Sequence, residues 1–317
     1  MMSSKQLATA LVVCALFVVA VVAVVDAARS RDAVDPPADP PPTTGREDPG
    51  SAPADELEAQ GIRGILYYSD PEDDCRVHAL ALPTLEAAPP SELRACRFEL
   101  PPEPGTGTVD GDDSSTARKP DGTLTVIRKG EVWNTPCARS DAAGCGQRLL
   151  ATAELTEAAH AVPFVPTGPR HLRSVMAIRV AWFNETRAAV LVRVRLRGRL
   201  RVLGPVAVLA VYEGTRLVRA TQYAGAFDLR MSPQRSFVGV VETGRRVTIV
   251  SRSGTQVLGA ADLPSPSAHA VAWSPDERWV AVASRWSVYL LRMADLAADR
   301  QPRIIHLPLV ARDLAWR

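Results

Sequence analysis

From Ile62 to the C-terminus, short apolar runs alternate with clusters of turn-forming residues, which is the pattern of strands and tight connections rather than of helices. The runs "GILYYS", "CRVHALAL", "CRFEL", "TLTVIR", "EVWNT", "AAVLVRVRL", "VAVLAVY", "FVGVV", "RVTIVS", "WVAVAS", "SVYLLRM" and "RIIHL" each predict one strand. Their Val, Ile and aromatic content suits a pleated, half-buried surface. Helical spacing is confined to "LLATAELTEAAHA", Leu149 to Ala161, which predicts one short helix or loop excursion. A different pattern stands in "LVRVRLRGRLRVLG", Leu191 to Gly204, where Arg193, Arg195, Arg197, Arg199 and Arg201 occupy every second position. A period of two scatters charge around a helix but lines one face of a strand, so an amphipathic membrane helix is excluded there. The run predicts an extended hairpin arm with Gly198 or Gly204-Pro205 at its tip.

The strands repeat as a group. "HAVAWSPDERWVAVASRWSVYLLRM", His269 to Met293, reads strand, Ser-Pro-Asp turn, strand, tight turn, strand. "FDLRMSPQRSFVGVVETGRRVTIVS" follows the same plan 42 residues earlier, and "IRVAWFNETRAAVLVRV" sets Trp182 where the later copy has Trp273. "KPDGTLTVIRKGEVW" is a weaker copy, and the closing "RDLAWR" restarts the pattern with Trp316. The turn chemistry is physical: Pro presets φ at the first turn position, and Asp or Asn side chains bond back to the turn backbone. A period in the forties built of such units predicts the blades of a β-propeller. These motifs resemble TolB-like and WD40-like propeller repeats, over roughly Ile62 to Arg317, with the stretch "PPEPGTGTVDGDDSSTAR" departing from the pattern.

The domain opens on "GILYYS", a second strand lacking a first, and stops on "ARDLAWR", a first strand with nothing after it. Joining the two closes the ring and removes its open edges. The fold class expected is therefore all-β, a propeller with five blades at 62–100 plus 312–317, 101–168, 169–224, 225–266 and 267–311; six blades is the alternative. A propeller closed in this way is expected to be monomeric.

Upstream the composition changes. Leu7 to Val25 carries no charge over 19 residues, enough at ~1.5 Å rise to cross a ~30 Å hydrocarbon core. Its length favours an uncleaved signal anchor over a cleaved signal peptide, the alternative being cleavage near Ala27 and secretion. Residues 1–6 form a short tail, and 26–61, rich in Pro, Asp and Ala, predict a disordered linker to a propeller domain at 62–317.

Cysteines set the compartment. Apart from Cys14 inside the apolar segment, they form two local pairs, Cys75 with Cys96 and Cys137 with Cys145. Even, paired spacing behind a hydrophobic N-terminal segment predicts two disulfides and an oxidising environment. Arg29, Arg31 and Arg46 argue the other orientation under the positive-inside rule. Arginine is abundant throughout, however, with only three lysines among 37 basic residues, so the cysteines weigh more. The expected location is the cell membrane, single-pass, with an extracytoplasmic domain.

A net charge of +2 gives no global nucleic-acid signature, and no aromatic residues interleave the arginine run for base stacking. Nucleic acid is therefore not the expected partner. No nucleophile elbow, His-Glu-x-x-His, Gly-rich phosphate loop or Cys-x-x-Cys occurs, and the five histidines are scattered singly. The run Asp110 to Asp113 lacks the distal Glu of a calcium loop. No catalytic residue, cofactor or metal is expected.

The candidate binding residues lie at one channel mouth. Asp228 and Asp313 stand three positions before Met231 and Trp316, and Arg179 stands three before Trp182, with Arg230 and Arg312 beside them. They predict either a charged ring or salt bridges between adjacent blades. Arg193, Arg195 and Arg197 are a second candidate surface, for an anionic envelope polymer or lipid headgroups. The expected function is a non-enzymatic binding or scaffold module for a cell-envelope protein or glycan. TolB-like proteins, which the repeats resemble, work through protein contacts in the cell envelope. The alternative is a hydrolase or lyase using the channel mouth.

Overall fold

Strands formed by the apolar runs sort into five antiparallel sheets, four of them meanders of neighbours in sequence and one joining the first two strands to the last. The computed structural model describes residues 52–87, 94, 96, 116–135, 146–163, 172–197, 206–223, 225–242, 244–254, 256–298 and 300–317. The expected membrane segment 7–25, most of the linker, Cys137, Cys145, the Asp110 to Asp113 run and the arginine-run tip at 198–205 lie outside these residues. Among the described residues no helix is long and apolar enough to cross a membrane.

The first sheet joins the chain ends. β1 (Gly64–Asp70) lies between β2 (Arg76–Leu82) and the last strand, β19 (Leu314–Trp316), with Leu66 opposite Trp316 and Tyr68 opposite Leu314. This sheet has three strands, and isolated bridges Leu80 to Ala87 and Arg76 to Arg94 run along its outer edge. The other four sheets have four strands each. The second holds β3 (Thr116–Arg118), β4 (Leu124–Arg128), β5 (Glu131–Thr135) and β6 (Gln147–Leu150). The third holds β7 (Leu172–Trp182), β8 (Arg187–Leu196), β9 (Val206–Glu213) and β10 (Arg216–Tyr223). The fourth holds β11 (Asp228–Met231), β12 (Phe237–Val241), β13 (Arg246–Ser251) and β14 (Val257–Asp262). The fifth holds β15 (Ala270–Trp273), β16 (Trp279–Ala283), β17 (Val288–Arg292) and β18 (Ile304–Leu307).

First strands of successive sheets are neighbours: β3 lies against β7, β7 against β11, β11 against β15, and β15 against β19. This all-β arrangement is consistent with a five-bladed propeller, with the C-terminal strand completing the N-terminal sheet as the sequence predicts.

Each of the three repeated tryptophans is anchored through its indole N–H. Trp182 donates from Nε1 to Thr125 Oγ1 of β4 at 3.0 Å, and Trp273 donates to the Arg230 carbonyl of β11 at 3.3 Å while stacking on Phe237. Trp316 donates to the Arg63 carbonyl at 3.2 Å. All three rings are buried in separate apolar clusters between sheets. The turns repeat as well. Ser274 Oγ donates to Asp276 at 2.6 Å and accepts from the Trp279 amide at 2.9 Å, while Ser232 Oγ accepts from the Phe237 amide at the equivalent place. Asn184 and Asp121 accept turn amides in the same way.

Three helices complete the domain. α1 (Ala52–Ala59) corrects the linker boundary: Leu57 and Ile62 are buried against the first and fifth sheets, and Arg303 donates twice to Glu56. The last ten or so residues of the expected linker therefore belong to the folded domain. α2 (Thr152–His160) is the helix expected from Leu149 to Ala161. It buries Leu155, Ala158 and Ala159 against the second and third sheets, and its Glu154 accepts the Ala151 amide. α3 (Met293–Ala297) lies so close to β14 that a side chain at Gly259 would collide with the Leu296 carbonyl.

Candidate functional site

The third sheet is taller than its neighbours. β7 has 11 residues and β8 has 10, while β11 and β15 have four each. Arg179 of β7 aligns with Asp228, the first residue of β11, so Leu172 to Ile178 extend past that neighbour by roughly 20 Å at strand rise. The extension is supported along its inner edge by the β4–β5 turn, where the Ala177 amide donates to the Gly130 carbonyl at 2.8 Å. Gly130 has φ of 80°, and a Cβ there would collide with Met176, so glycine is required twice over.

At the base of the extension four charged side chains form one chain of ion pairs. Arg179 Nε donates to Asp228 Oδ1 at 2.8 Å, tying the third sheet to the fourth. Asp228 Oδ2 lies 3.4 Å from Arg230 Nε on its own strand, and Arg230 Nη2 donates to Asp313 Oδ2 at 2.6 Å. Asp313 precedes β19 in the first sheet, so Arg230 reaches past β15, which lies between β11 and β19. β15 has Ala270 and Ala272 at the equivalent positions, which add neither charge nor bulk. The two carboxylates are 5% and 3% exposed and the Arg230 side chain is 20% exposed.

Burial pushes the Asp228 carboxyl up, but Arg230, Arg179 and the Leu229 amide outweigh it and hold the group below the usual aspartate range. Burial likewise disfavours the Arg230 charge, and Asp313 and Asp228 more than restore it. Of the two arrangements expected at this mouth, inter-sheet ion pairing is present, with one link crossing to a sheet that is not adjacent. Arg312 is exposed and, among the described residues, donates its backbone amide to the Ser69 carbonyl and makes no side-chain contact with this chain of ion pairs.

The arginine run is described through Arg197. On β8 the even positions Val190, Val192, Val194 and Leu196 pack into the cluster that α2 covers, while Ala189 and Leu191 face the fourth sheet. Arg193, Arg195 and Arg197 continue that second face beyond the fourth sheet's edge. The described part of the expected hairpin arm is an extension of the third sheet by the paired β8 and β9, with one face covered by α2 and the arginines on the other, and its tip lies outside the described residues. Burial, Arg195 and Arg179 together disfavour the Arg193 charge.

Tyr223 and Ser174 were not legible as site residues in the sequence. Tyr223 is buried, its hydroxyl has no hydrogen-bond partner, and burial followed by the Glu242 charge pushes it up to about 12. The Ser174 hydroxyl is likewise buried without a partner. Only three-dimensional register reveals either, because nothing local distinguishes a strand Ser or Tyr from its neighbours.

The remaining candidates are structural. Cys75 and Cys96 form the first expected disulfide. His269 Nε2 lies 2.6 Å from the Ala311 carbonyl, His306 Nε2 lies 2.7 Å from Ser287 Oγ, and His78 stacks on Tyr68. Among the described residues no group of three or more His, Cys, Asp or Glu is placed to hold a metal ion.

No protein-family model and no curated protein matches the sequence. Solved structures with a similar course include apo AztD from Citrobacter koseri, with TM-score 0.39 and 9% identity over 80% of this chain and 59% of that one. A eukaryotic initiation factor gives TM-score 0.38 and 11% identity over 80% and 55% of the two chains. Glutaminyl cyclase from Myxococcus xanthus gives 0.35 and 12% over 65% and 71%. This chain thus spans just over half the length of the first two. Similarity at this level carries no argument about function.

Proposed function

We propose that this chain is a membrane-tethered, extracytoplasmic five-bladed β-propeller of TolB-like or WD40-like type, serving as a non-enzymatic binding or scaffold module for a cell-envelope protein or glycan. The observation that carries the reading is the state of the channel mouth. Arg179, Asp228, Arg230 and Asp313 neutralise one another in buried pairs, which rigidifies the centre and leaves none of the four poised as acid, base or nucleophile. The Cys75–Cys96 disulfide supports an oxidising compartment, in keeping with the apolar segment Leu7 to Val25.

Two measurements test it. Thiols are trapped with an alkylating reagent in intact cells and the chain is then digested without reduction; the Cys75 and Cys96 peptides are expected to be joined, and alkylation of both would overturn the compartment. Purified chain is then screened against ester, glycoside and uronate substrates. No turnover is expected, and turnover that co-purifies with the chain would overturn the non-enzymatic reading.

A further inference from the structure

The extended face of the third sheet gathers arginines that have no carboxylate partner among the described residues. Between Glu157 and Glu213 the sequence contains nine arginines and a single acidic residue, Glu185. Glu185 sits in the turn after β7, at the opposite end of that strand from the extension. None of the described carboxylates pairs with Arg193, Arg195 or Arg197. The segments outside the described residues that flank the extension, 164–171 and 198–205, contain no Asp or Glu either.

Strand register gathers donors onto that face. Ser174 lies opposite Arg195, and Met176 lies opposite Arg193. Arg193 in turn lies opposite Ala207, which lies opposite Tyr223. Residues directly opposite in an antiparallel sheet share a face, and adjacent strands are about 4.8 Å apart. The row Met176, Arg193, Ala207, Tyr223 therefore lies on one face, with Arg195 and Ser174 in the next row; the charges around Arg193 are Arg195 and Arg179, whereas those beside the Tyr223 hydroxyl are Glu242 and Arg219. The Tyr223 and Ser174 hydroxyls are the two buried, unpartnered groups of this face. A buried hydroxyl without a partner is destabilising, and so are like charges brought together in partial burial.

We propose that this face binds a phosphate-type oxyanion, gripped by Arg193 and Arg195 and completed by the hydroxyl of Ser174. Two guanidinium forks and a hydroxyl offer more donors than a single carboxylate accepts, and they suit the several oxygens and higher charge of phosphate. The same chemistry serves a free phosphate ester and a phospholipid headgroup. The proposal rests on the reading of the domain as a binding module and supplies its ligand class.

The test is thermal unfolding of the full chain in dodecyl maltoside micelles, first with inorganic phosphate against chloride of equal ionic strength. Phosphatidylglycerol mixed into the micelles is then compared with phosphatidylcholine. Phosphate is expected to raise the melting temperature where chloride does not. R193Q/R195Q is expected to weaken the apparent affinity by about tenfold or more, and S174A by about fivefold. Without phosphate, both variants are expected to melt at or above the parent temperature, because each removes a frustrated group.

A shift with phosphatidylglycerol alone, lost in R193Q/R195Q, upholds the site and assigns the phosphate to a lipid headgroup. A shift with both probes upholds it for either source. No shift with either probe, a shift that survives R193Q/R195Q, or a lower melting temperature of the ligand-free variants overturns it. A phosphate shift lost in the double variant upholds the site even where no envelope partner is captured, so the site and the wider binding role fail separately.

Discussion

The third and fifth sheets are built on one plan and differ in height. In the fifth, every residue of β15 and β16 is buried, because neighbours cover both faces of the sheet from end to end. In the third, β8 is apolar on both faces only as far as its neighbours reach: Ala189 and Leu191 meet the fourth sheet, and the next residues on that face are Arg193, Arg195 and Arg197. The onset of alternation along a strand thus marks the height of the sheet beside it. A stacked sheet reads as a continuous apolar run, and one that outgrows its neighbour reads as alternating from that point on.

The largest test of the shared plan is at its tryptophans. Trp273→Ala and Trp182→Ala are each expected to lower stability by about 4 kcal/mol in urea unfolding. A loss under about 1 kcal/mol at either position would show that the two inner strands are not equivalent. Next comes the ionic contrast, since β7 carries Arg179 where β15 carries Ala270. Asp228→Asn removes the described carboxylate partner of Arg179 and one of the two described carboxylates of Arg230, and is expected to lose about 3 kcal/mol at neutral pH.

The pH dependence follows from the same group. A carboxyl held low in the folded state stabilises above its unfolded value of about 3.9, and that contribution disappears as pH falls through the folded value. The gap between parent and Asp228→Asn should therefore narrow only below about pH 4. A gap constant down to pH 2 would mean that the loss is not electrostatic.

Smaller still are the turns. Ser274→Ala in the fifth sheet and Asn184→Ala in the third each remove a side-chain bond to turn amides, and about 1 kcal/mol is expected for each. Arg197→Ser, at the exposed end of the extension, should change stability by no more than about 0.5 kcal/mol.

Features made by local chemistry were legible in the sequence. The Ser-Pro-Asp turn, the paired strands around it and the closing "DLAWR" strand depend on residues a few positions apart, and the structure contains each of them. The outermost strands β6, β10 and β14 were not legible, because an edge strand is half exposed and mixes polar with apolar residues. Nor was α1, whose one deeply buried residue, Leu57, sits in a Pro- and Ala-rich stretch and is fixed by Glu56 meeting Arg303, 247 residues away. At the mouth, equivalent positions identified Arg179, Asp228 and Asp313. That Arg230 passes β15 to reach Asp313 depended on a ring geometry that no local pattern encodes.

The chain ends share one sheet, and their pairing holds the first sheet together. Hydrogen exchange at the Arg317 amide, which donates to the Ile65 carbonyl at 3.0 Å, tests it most directly. Protection comparable to the β16 amides, lost only in global unfolding, is expected, because opening this edge would uncover Trp316 and Leu66. Exchange at the rate of a frayed terminus, while β16 stays protected, would contradict closure of the first sheet by the C-terminal strand.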